Sequence, residues 1–118
     1  MVGGMDLKGR SALTNKIDAE IHLLERHVTM LNTIVAHEPI GIIRLSELLG
    51  IPQHKVRYSL RILEQEGLIL PSPEGAITTD RVQSFYQELT EILQKMDQTV
   101  NILRDSLEAQ GSKSVKDK

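Results

Sequence analysis

The stretch from Arg44 to Ile69 constrains the fold most, because Gly50, Pro52 and Gly67 punctuate it at intervals that leave little choice of structure. Leu45 to Leu49 is a short apolar helical run. Gly50 suits a left-handed helix stop, and Pro52 fits the first turn of the next helix, where its missing N–H costs nothing. Gly50-Ile51-Pro52 is therefore the turn between two helices. In the second helix Val56, Leu60 and Leu63 recur at steps of four and three on one face, while His54, Tyr58, Arg61 and Gln65 fall on the opposite face. The first set is expected to pack and the second to look outward. Gly67 stops the helix, Leu68 to Leu70 reads as a strand, and Pro71-Ser72-Pro73-Glu74-Gly75 turns the chain toward Ala76 to Thr78.

Long helices are expected on both sides. From Thr14 or Asn15, either a fit N-cap, Ile17, Ile21, Leu24, Val28, Leu31 and Val35 recur at alternating steps of four and three. Pro39 and Gly41 end this helix, and Glu38, preceding proline, is biased out of the helical region. The β-branched run Ile40, Ile42, Ile43 predicts a brief strand, with Ser46 as a second choice of helix cap. From Asp80, a cap candidate, to Ala109 two apolar stripes overlap. Val82, Phe85, Leu89 and Ile92 form one that runs out after two turns. Tyr86, Leu89, Leu93, Met96, Val100, Leu103 and Leu107 form the other, an unbroken alternation of three and four.

A chain of 118 residues has room for one domain, expected over 14–110, with glycine-rich residues 1–13 and lysine-rich residues 111–118 as flexible tails. Aromatics are 3% of the chain, so the core must be aliphatic, and the absence of cysteine excludes disulfides and thiolate chemistry. No apolar run approaches a membrane span, which together with the lack of cysteine leads to a cytoplasmic reading. The net charge of -2 counts against coating nucleic acid by bulk electrostatics. Positive charge is nevertheless gathered locally: Lys55, Arg57 and Arg61 lie in a run, Leu48 to Leu63, that holds no acidic residue.

The order of these elements in Arg44 to Thr78 resembles the winged helix-turn-helix of small dimeric archaeal and bacterial transcription regulators that lack a ligand domain. The helix-turn-helix would span 44–66, the wing 68–78 and the C-terminal helix 80–109. The resemblance implies a mainly helical fold whose third helix enters the major groove of double-stranded DNA, where side chains meet base edges and flanking cations bind phosphates. Carried over by position, the DNA-binding candidates are Arg44, Gln53, His54, Lys55, Arg57, Tyr58 and Arg61. Arg57 or Arg61 suits a bidentate contact to guanine, Gln53 a contact to adenine, and Lys55 a phosphate. The wing departs from the family, carrying Pro71, Pro73 and Glu74 where lysine or arginine is usual. That departure supports the alternative of a winged helix that binds protein within a larger complex.

The long flanking helices would leave an aliphatic stripe too large for a soluble monomer, so Ile17, Ile21, Leu24, Tyr86, Leu89, Leu93, Met96, Val100, Leu103 and Leu107 are expected to pair two chains. No cofactor is expected and no metal, since His22 and His27 are five residues apart and fall about 140° around a helix from each other. Glu64 with Glu66, and Glu88 with Glu91, accompany no phosphate loop, nucleophile elbow or pocket motif, so no enzyme is expected.

Overall fold

A computed structural model describes residues 10–116, with side chains as far as Gly111. The expectations for residues 1–9 and 117–118 lie outside it. The element order is α1 (Ala12–His37), α2 (Ile42–Leu49), α3 (Gln53–Gln65), β1 (Ile69–Ser72), β2 (Gly75–Thr78) and α4 (Val82–Lys116). The fold is mainly helical with one antiparallel hairpin, and it divides into two compact units between Asp80 and Arg81.

In the first unit α1 packs on both α2 and α3. Met30, Leu31 and Ile34 of α1 close against the buried Leu45 of α2 and Val56 and Leu63 of α3, with Ile40, Leu68 and Ile69 completing an aliphatic core. This corrects the α1 stripe. Of its members Leu31 is buried and Val28 half-buried, whereas Val35 is 42% exposed, and Met30 and Ile34, outside the stripe, are buried. The buried Met30, Leu31 and Ile34 centre roughly 100° around the helix from the line through Ile17, Ile21 and Leu24, so the inward face is not the one the heptad stripe marks.

The helix ends follow local hydrogen bonding. The Ser11 hydroxyl accepts the Thr14 N–H at 3.1 Å, while the Thr14 hydroxyl donates to the Ser11 carbonyl. Ser11 is therefore the cap, not Thr14 or Asn15, and Ala12 and Leu13 belong to α1 rather than to a tail. Ile42 and Ile43 are not strand residues either. They open α2 behind Gly41, and only Ile40 bridges the hairpin. Gly50 adopts φ 66° and its N–H reaches the Ser46 carbonyl, as a left-handed stop requires. Pro52 stands one position before α3, as its cap.

At the end of α3 the Gly67 N–H donates to Glu64 and the Leu68 N–H to Leu63, satisfying two terminal carbonyls, with Gly67 at φ 76°. Leu63 and Leu68, paired by this ending, are both buried. α4 passes its expected end at Ala109 and continues through Gly111 to Lys116, so one glycine, worth about 1 kcal/mol against alanine, does not stop it.

The hairpin pairs Ile69 with Thr78, Leu70 with Ile77, Pro71 with Ala76 and Ser72 with Gly75. Ile40 exchanges both main-chain hydrogen bonds with Ala76 on the far side of β2. Ala76 therefore points its own donor and acceptor away from Pro71, and a residue without an N–H is accepted inside β1. The Glu38–Pro39 peptide leading to Ile40 is cis.

Candidate nucleic-acid interface

Helix α3 presents two chemically distinct faces. Val56, Ser59 and Leu63 are buried, Leu60 is half-buried, and Gln53, His54, Lys55, Arg57, Tyr58 and Arg61 are all exposed. The 3.6-residue period that turns the aliphatic residues inward leaves His54, Tyr58 and Arg61 in solvent, with Lys55 and Arg57 on its flanks and Gln53 at the helix start. Among the described residues, none of Lys55, Arg57 and Arg61 takes part in an ion pair, so their charge is not spent within the chain.

Arg44, on α2, is brought to the same area. With Gln53, Arg57, Glu47 and the residues Gly41 to Ile43 it lines an open groove of ≈ 620 Å³. Its guanidinium lies 4.0 Å from the Glu47 carboxylate, an exposed pair of little energetic weight. Arg44, Gln53 and Arg57 thus share one groove, whereas Tyr58 belongs to a second cluster. The hairpin tip, Pro73 and Glu74, is exposed and carries no cation.

The second cluster was not expected from sequence. Arg26 Nε donates to the fully buried Ser59 hydroxyl oxygen at 3.0 Å, and His27 Nδ1 lies 2.9 Å from the same oxygen. The Tyr58 ring lies against both: its centroid is 5.7 Å from the Arg26 guanidinium carbon and 5.8 Å from the His27 ring. Burial, and next the charge of Arg26, hold the His27 imidazole below its ordinary pKa. A neutral imidazole with its proton on Nε2 lets Ser59 donate its one hydroxyl proton to Nδ1 while accepting from Arg26, so that all three groups are used. One signal was present in the sequence, since Ser59 stands three residues after Val56 and four before Leu63, on the inward face. A polar group there requires partners.

Of the residues expected to pair two chains, Ile17 and Ile21 are exposed and Leu24 half-buried on α1. On α4 Tyr86 and Leu89 are half-buried, and Leu93, Met96, Val100, Leu103 and Leu107 are exposed. Exposure along this last run rises from 38% at Met96 to 70% at Leu107. Among the described residues no group of three or more metal-ligating side chains occurs, and no helix is long and apolar enough to cross a membrane.

No protein-family model matches the chain, and no curated protein matches it. Among solved structures, the activation domain of the phage T4 transcription factor MotA is similar. The match has a TM-score of 0.51 and 21% identity, over 64% of this chain and 80% of that one. At that identity the likeness is one of fold.

Proposed function

We propose that the chain is a sequence-specific DNA-binding transcription regulator. In this reading the first unit is a winged helix-turn-helix, α2 and α3 form the helix-turn-helix, the hairpin is the wing, and α3 enters the major groove. The observation that carries the proposal is the outward face of α3, where Gln53, His54, Lys55, Arg57, Tyr58 and Arg61 are exposed together and the three cations enter no ion pair among the described residues. Arg57 or Arg61 would bind guanine through two N–H groups, worth ~1 to 3 kcal/mol of discrimination, while Arg44 and Lys55 meet phosphates. The similar fold of a transcription-factor domain agrees with this role. The role requires no cofactor or catalysis, and it places the protein in the cytoplasm, with the DNA.

The apolar run of α4, with Ile17, Ile21 and Leu24 of α1, would join two copies. A two-fold dimer presents its α3 helices to successive major-groove halves about 34 Å apart, on a pseudo-palindromic site. Selection from random duplex DNA across a salt series tests the reading. A recovered palindrome whose affinity falls steeply with salt, and is abolished by Arg57→Ala with Arg61→Ala, is the expected result. Unchanged affinity in that double variant would remove α3 as the reading element.

A second reading draws on the hairpin tip. Pro73 and Glu74 offer nothing to a phosphate, and the similar domain is named an activation domain, so a winged helix that binds protein is the alternative. No retention of wild-type protein on any duplex at low salt would favour it.

A further inference from the structure

Two adjacent residues of α1 grip two adjacent residues of α3. Arg26 and His27 both reach the buried hydroxyl of Ser59, and both lie against the ring of Tyr58, the residue before it. Ser59 is 0% exposed, whereas Tyr58 is 39% exposed and lies among the residues offered to DNA. The grip therefore joins the core side of α3 to its reading side. A tyrosine at that level of exposure has rotamers open to it in solvent, and a guanidinium and an imidazole against its ring restrict that choice before any ligand arrives. A contact held in place beforehand avoids the ordering cost that a free side chain meets on binding.

We infer that Arg26 and His27 are positioning residues for Tyr58, which makes a sequence-determining contact to DNA in the orientation they set. The inference rests on the DNA-binding reading above. Arg26 acts through Tyr58 and not as a further phosphate contact. Its Nε is committed to Ser59, and its charge lies against the ring.

A double-mutant cycle on the full chain tests this, using the duplex that wild type selects. Tyr58→Ala and Arg26→Ala are each expected to weaken binding about tenfold, the cost of one specific contact, and to lose discrimination at the same base pair. The double variant should bind no more weakly than Tyr58→Ala, because the two residues act as one unit. Arg26→Ala should keep the wild-type salt slope, and Arg26→Lys, which restores the charge without the Nε donor and the planar fork, should not restore discrimination.

Additive losses together with a salt slope reduced by about one would make Arg26 a phosphate contact in its own right and overturn the inference. A lowered melting temperature with base preference intact would reduce the cluster to structural support, and overturn it equally. Both results leave the DNA-binding reading standing. Failure of wild type to retain any duplex is a different outcome, which removes that reading and the positioning role with it.

Discussion

The carboxylate of Glu38 accepts the main-chain N–H of Thr78 at 2.7 Å and its hydroxyl at 2.8 and 2.9 Å, across 40 residues of sequence. Glu38 lies at the end of α1 and Thr78 at the end of β2, so this one side chain ties the hairpin's exit to the first helix. Glu38→Ala should lower stability by about 1 kcal/mol, the charge-assisted bonds being discounted for their exposure. Urea unfolding at fixed protein concentration measures it, and a midpoint equal to wild type would show that water replaces the carboxylate without loss.

Gly75→Ala should be more damaging. At φ 129° an L side chain is strained, and a Cβ built there collides with the carbonyl carbon and oxygen of Ile40 and with the nitrogen of Gly41. The bridge from Ile40 to Ala76 would have to open, and about 1 to 3 kcal/mol for the backbone alone is expected, with the collision in addition. A thermal melt within a few degrees of wild type would contradict this packing.

His27 makes stability depend on pH in a defined direction. The folded chain holds its pKa below the ordinary value of about 6.5, so the unfolded chain binds the proton first. The contribution is complete above about pH 6.5 and is lost as the pH falls from there through the folded pKa. Between about pH 7 and about pH 5 wild type should lose more melting temperature than His27→Gln. Parallel losses in the two proteins would show that His27 is not the responsible group.

If the α4 stripe joins two copies as proposed, introducing charge into it separates them. Met96→Lys with Leu103→Lys places two ammonium groups at positions 38% and 57% exposed in one copy, where a second copy would bury them. Light scattering is expected to give half the mass found for wild type, with the helical signal of the first unit retained. A variant of wild-type mass would refute the pairing model.

The positions legible in sequence were those where the backbone itself leaves a mark. Gly50 and Gly67 had to adopt positive φ to end their helices, and both do, while Val56 and Leu63 followed the helical period into the core. The exposure of His54, Tyr58 and Arg61 on α3 followed from the same period. Partners far apart in the chain left no such mark. Nothing near Ser59 announces Arg26 and His27, which lie 33 and 32 residues earlier. Ile42 and Ile43 favour a strand by β-branching, yet the helix opens behind Gly41, because a weak residue propensity does not decide the element. Ser11 and Thr14 offer the same capping chemistry three residues apart, so residue type alone does not choose between them.

Pro71 has a further effect, on what the hairpin refuses. In the observed register Ile69 and Pro71 turn their main-chain groups toward the outer edge of β1, the side opposite β2. Of those two positions only Ile69 has an N–H to give, on a strand four residues long. A passing chain finds too few donors there to add itself as another strand, which is how short proline-bearing edges resist aggregation. Pro71→Thr would restore the missing donor beside the exposed Leu70 and expose the hairpin to edge-to-edge association. The proline thus makes the outer edge of β1 a poor template for a further strand.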